Sequence, residues 1–127
     1  MRPALVVLSL SGALALTACQ SDKPKPIRGH SALDVMERVA VGANTCWIKS
    51  GDGDFKGYAM APELDSYSGR PRILLVRKNS SDIRPHLVVQ AEGNPARLDA
   101  FGPMMDQPVH ARIVRDVNRW SKGDKGC

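Results

Sequence analysis

The pattern of apolar and polar positions divides the chain into an apolar run, a polar stretch and a body of short alternating segments. Ala4 to Ala18 carries no charge and is dominated by Ala, Val and Leu. Gln20 to His30, QSDKPKPIRGH, has two prolines, two lysines and no apolar period. Beyond it, Leu33, Met36, Ala40, Ala43 and Trp47 recur at spacings of three and four, which marks one face of an amphipathic helix. Ser31 with Asp34 three residues later is an N-cap pattern for that helix, and Asn44-Thr45 is expected to fray its end.

The period then shortens to that of strands. Ser50 to Asp54 is a turn cluster, Phe55 to Ala61 mixes aromatic and small residues as a strand does, and Pro62 ends that strand or marks an edge. After the turn SYSGRP (Ser66 to Pro71), Arg72 to Arg77 is a continuous apolar run with charged ends, typical of a central strand. Asn79 to Asp82 turns the chain, His86 to Ala91 is the next strand, Glu92 to Pro95 turns again, and Ala96 to Phe101 is a candidate fourth. Asp106 as cap and Pro108 in the first turn open a last helix, whose apolar stripe is Val109, Ile113, Val117 and Trp120. The predicted fold class is α+β. A three- to four-stranded antiparallel meander is flanked by an N-terminal and a C-terminal helix that cover one sheet face.

The apolar run changes where this body is expected to sit. Arg2 precedes it, which is the order of a secretory signal, and the run is shorter than the ~20 residues of a membrane-spanning helix. Ser9, Ser11 and Gly12 interrupt it. At its end Leu16-Thr17-Ala18-Cys19 resembles the lipobox of bacterial lipoproteins. The resemblance implies cleavage before Cys19, a diacylglycerol thioether on its sulfur and acylation, commonly with palmitate, of the new amino group. Several acyl chains anchor firmly, since each buried CH₂ contributes roughly 0.8 kcal/mol. In the sorting rule of that family an Asp after the lipidated Cys retains the protein at the inner membrane; Gln20 here favours the outer membrane.

The expected organisation is therefore residues 1–18 as cleaved signal peptide, 19–30 as lipidated Cys19 plus a Pro/Lys tether, and 31–127 as one small domain in the cell envelope, facing the periplasm. An extended tether reaches on the order of 30 Å at about 3.1 Å per residue. Cys46 and Cys127 remain after lipidation, neither in a CxxC motif, and two cysteines in an oxidising compartment are expected to form a disulfide.

Charge narrows the partners. Apart from Arg2 the chain has 17 basic against 13 acidic side chains, a balance of +4. On an exported lipoprotein this suits an anionic envelope polymer or an envelope protein partner, with the membrane reached through the lipid and no nucleic acid in reach. The candidate polyanion-binding residues are Arg112, Arg115, Arg119 and Lys122, spaced three, four and three opposite the apolar stripe of the last helix. Asp116 can neutralise part of Arg112 through an i,i+4 pair. Arg70, Arg72, Arg77 and Lys78 add charge at the ends of the central strand.

Asp52 to Glu63, DGDFKGYAMAPE, resembles an EF-hand calcium loop in the acids at its first and third positions, Gly57 at the sixth and Glu63 at the twelfth. It departs from that loop at Lys56, Ala59 and Pro62, and no metal is expected there. His30, His86 and His110 have no metal-binding spacing, Met104 and Met105 read as core, and Ser66 and Ser68 lack a nucleophile motif. No cofactor motif and no sign of catalysis appear. The expected function is a non-catalytic binding or structural module, accessory to envelope assembly, a surface structure or a secretion apparatus. The alternative is a ligand- or ion-binding protein, or a small hydrolase, using the Asp52–Glu63 loop or the cationic helix.

Overall fold

The computed structural model describes residues 30–65 and 67–127, so Cys19, the signal and tether positions and Ser66 lie outside the described residues. The first helix, α1 (Ala32–Ala43), begins where the sequence places it. The Ser31 hydroxyl accepts from the Asp34 amide and the Asp34 carboxylate accepts from the Ser31 amide, both at 3.2 Å, a reciprocal capping box. Asp34 is held below the usual carboxylate range, chiefly by its hydrogen bond with the Ser31 side chain.

The buried face of α1 is Ala32, Val35, Met36, Val39, Ala40 and Ala43, whereas Leu33, expected in the stripe, is exposed. The spacing of three and four is satisfied by both sets; the denser set of apolar residues wins the core. The predicted fraying at Asn44-Thr45 does not occur. The helix instead widens into a π-helical turn (Asn44–Ile48), closed by the Lys49 amide donating to the Asn44 carbonyl at 2.9 Å, and the consecutive residues Cys46 and Trp47 are both buried.

Four strands follow: β1 (Tyr58–Glu63), β2 (Arg72–Arg77), β3 (Leu87–Glu92) and β4 (Arg97–Phe101), paired antiparallel in the order β1-β2-β3-β4. β1 starts three residues later than expected. Phe55 is not in a strand; it sits in the preceding turn, fully buried with its ring 4.6 Å from that of Trp47 and nearly parallel to it. Pro62 lies inside β1, which is tolerable because β1 is an edge strand.

Alternation along the strands turns Ile73, Leu75, Leu87, Val89 and Ala91 to the helices, with Tyr58, Met60, Leu98 and Ala100 at the margin of the same core. Among the described residues no helix covers the other face. There the register aligns Ala61, Leu74, Val88 and Phe101 in one apolar row and Glu63, Arg72, Gln90 and Asp99 in the next.

A short 3₁₀ turn (Pro103–Asp106) leads to α2 (His110–Ser121). Asp106 ends the 3₁₀ turn and does not cap α2, whose N-cap residue is Val109, without a side-chain cap. Ile113, Val117 and Trp120 are buried as expected, with Val109 only partly so. Beside them Gly42 lets α1 and α2 approach closely: a Cβ at this position would lie 2.3 Å from the Trp120 ring. Cys46 and Cys127 are disulfide-bonded with Cα atoms 5.3 Å apart, fastening the segment after α2 to the end of the π turn. No helix among the described residues is long and apolar enough to cross a membrane.

Candidate functional site

The cationic stripe of α2 is organised by a carboxylate. Asp116 is 1% exposed and accepts from the Trp47 indole N–H at 3.0 Å. Its two oxygens also face Arg112 Nε at 3.5 Å and Arg119 Nη2 at 3.3 Å, one turn away on either side. A buried carboxylate needs such company, because an uncompensated charge in a low-dielectric interior is costly.

Arg112 reaches further. Its Nη2 lies 2.6 Å from Asp52 and its Nη1 3.3 Å from Asp54, while its guanidinium carbon sits 5.2 Å over the Phe55 ring. Trp47, Phe55 and Arg112 thus form a stack from core to surface. The Arg112 side chain, foremost among several groups, holds the Asp52 carboxyl below its ordinary range; Asp52, foremost in turn, raises Arg112. Arg119 pairs with Asp124 at 2.7 Å and donates to the backbone oxygens of Gly126 and Cys127. Asp124 is lowered first by the Gly126 amide and then by Arg119.

Of the four predicted polyanion-binding residues, Arg112 and Arg119 are thus engaged inside the molecule. Arg115 is exposed, with Asp116 3.6 Å away, and Lys122 is exposed. The calcium-loop resemblance meets the same arginine. Asp52 and Asp54 turn to Arg112, and Glu63 turns to Arg72 at 2.6 Å. Among the described residues no group of three His, Cys, Asp or Glu side chains could hold a metal ion.

At the strand ends the charges separate. Arg70 pairs with Glu92 and Arg72 with Glu63 at the end of the sheet where α1 begins. At the opposite end Arg77 stands across from Tyr58, its guanidinium 5.8 Å over the ring, and the Lys78 amide donates to the Gly57 carbonyl at 3.0 Å. Lys56, Arg77 and Lys78 therefore gather at one hairpin end, and among the described residues none of them has a carboxylate partner. The loop from β2 to β3 continues this end. Asp82 receives Arg84, which foremost lowers the Asp82 carboxyl well below the usual range, and lies 3.5 Å from His86, whose ring is 5.7 Å from Tyr58. Ile83 between them is 83% exposed.

No family model, curated protein or solved structure matches this chain. The reading of the site therefore rests on its own geometry.

A second feature is a cleft of about 390 Å³ between α1 and the segment after α2, with Val41, Gly42 and Thr45 on one wall and Gly123 to Lys125 on the other. Arg38 borders it, and its enclosed Nε and Nη2 have no hydrogen-bond partner among the described residues. From the sequence Arg77 and Lys78 stand out as strand-end cations, whereas Lys56 enters only as a departure from the calcium loop and Ile83 carries no signal; the β1–β2 pairing brings Lys56 to the same end.

Proposed function

We propose that the protein is a lipid-anchored envelope lipoprotein whose periplasm-facing domain is a non-catalytic binding module, accessory to envelope assembly, a surface structure or a secretion apparatus. The observation that carries this reading is the bond between Cys46 and Cys127. It belongs to an oxidising compartment, and it leaves Cys19, in the lipobox-like LTAC, as the third cysteine and the one free for a lipid. Gln20 favours the outer membrane.

Binding is favoured over chemistry because the acids of the alternative site are committed to arginines. Asp52, Asp54 and Asp116 share Arg112, which offers donors to each, so these three carboxylates serve as ion-pair partners. Replacing Cys19 by Ser tests the anchoring. The variant is expected to lose palmitate incorporation and to leave the membrane fraction in a high-salt wash; palmitate incorporation equal to wild type would overturn it.

A further inference from the structure

We propose that the far end of the sheet, Lys56, Arg77, Lys78 and the Ile83–Arg84 loop, is a docking surface for an anionic phospholipid leaflet, which rests on the lipid-anchored reading above. At this end Lys56, Arg77 and Lys78 have no carboxylate partner among the described residues and Arg84 is paired with Asp82, whereas at the end where α1 starts Arg70 and Arg72 are paired with Glu92 and Glu63. Unpaired cations near an anionic bilayer gain roughly 1 kcal/mol each. Ile83 is the second observation. An aliphatic side chain 83% exposed beside Arg84 costs solvation in water and gains by entering the headgroup boundary, the combination that marks interfacial binding. A hydrated wall polymer offers the isoleucine nothing comparable.

The geometry of attachment agrees. The chain enters the domain at the β3–β4 turn, where the Ala32 amide donates to Gly93 and the Ala96 amide to His30. The docking end lies at the other end of β3, about 20 Å away for six residues at ~3.3 Å each. A tether reaching on the order of 30 Å spans that distance. The far end is therefore within reach of the leaflet that holds Cys19. Anchor and patch then act as two linked contacts, the second one intramolecular.

The test uses the mature chain, residues 19–127, carrying Cys19→Ser, so that neither signal peptide nor acyl chain contributes, with vesicles of phosphatidylglycerol or of phosphatidylcholine. Sedimentation with the anionic vesicles at low salt is expected, and release as salt is raised. Reversing three charges (Lys56→Glu, Arg77→Glu, Lys78→Glu) should weaken binding by about 100-fold or more, and Ile83→Ser by roughly tenfold while the salt dependence persists. All four positions are exposed, so unchanged melting temperatures separate lost binding from lost folding. Equal binding to phosphatidylcholine, undiminished binding of the triple variant, or binding to isolated peptidoglycan in place of vesicles would each overturn the proposal. Because the acyl chain is absent throughout, such a failure leaves the anchoring test untouched, and a failure of anchoring leaves this one readable.

Discussion

Asp116 holds groups that come from three parts of the chain: the indole N–H of Trp47, Arg112 and Arg119 on its own helix, and through Arg112 the loop acids Asp52 and Asp54. Its neighbours in sequence suggest only an i,i+4 pair with Arg112. That the carboxylate is buried, and that Trp47 donates to it across 69 positions, depends on how α1 and α2 cross. Asp116→Ala would leave the Trp47 N–H unpaired in the core and strip one partner from each arginine. Since Asp52, Asp54 and Asp124 remain, a loss of about 2 to 3 kcal/mol is expected, below the usual figure for breaking a buried pair. Urea unfolding measures it, and Asp116→Asn, which keeps an acceptor for Trp47, should recover part of the loss. A loss below about 0.5 kcal/mol would mean that water replaces the carboxylate.

Among the elements, the segment after α2 is held by three devices: the disulfide, the Trp120 indole N–H donating to Gly126 at 2.9 Å, and the Arg119 fork. It also forms one wall of the cleft beside Arg38. The disulfide joins positions 81 apart, and the chain-entropy model assigns a loop of that length about 4 to 5 kcal/mol. The double variant Cys46→Ala, Cys127→Ala should lose most of that stability while keeping the sheet. The amides of Asp124 and Gly126 should exchange faster in it, as hydrogen exchange would report. Exchange as slow as wild type would show that the Trp120 and Arg119 contacts suffice. The strands were legible as elements because β2 and β3 are short apolar runs, and β4 a short segment, each bounded by turn clusters. The start of β1 was not, since Phe55 belongs by composition to a strand and by packing to the Trp47 stack. Asp106 reads as a helix cap for the same local reason, and the 3₁₀ turn that absorbs it is set by its approach to β3, where the Met104 amide donates to His86.

For the whole molecule, charge is arranged as two systems. One is internal, around Asp116, and draws Arg112 and Arg119 away from solvent; the other is the uncompensated end at Lys56, Arg77 and Lys78. Four lowered carboxyls, two of them paired with Arg112 and Arg119, predict the response to acid. Asp34, Asp52, Asp82 and Asp124 all have carboxyls lowered in the folded protein, so the unfolded chain takes up protons first as pH falls. The stability they contribute is fully present above the ordinary Asp range and is lost as pH drops below about 4 toward their folded values. Urea midpoints should therefore vary little with these groups at neutral pH and fall below about pH 4. Asp52→Asn should be less stable at neutral pH and show a shallower acid limb; an unaltered limb would remove Asp52 from this account.

Read alone, the sequence determined what local rules control: the capped start of α1 at Ser31, strands wherever apolar runs alternate with turn residues, the α+β class, and the pairing of Cys46 with Cys127. These follow from hydrogen bonding and hydrophobic period within a few residues or, for the cysteines, from the resemblance of LTAC to a lipobox, which implies that Cys19 is set aside for a lipid. Tertiary structure decided which apolar set of α1 faces inward, why Gly42 stands against Trp120, and which of the many arginines are already paired. Coulomb partners are chosen by proximity in space, and proximity between Asp52 and Arg112, or between Lys56 and Arg77, exists only once the helices cross and the strands take their register.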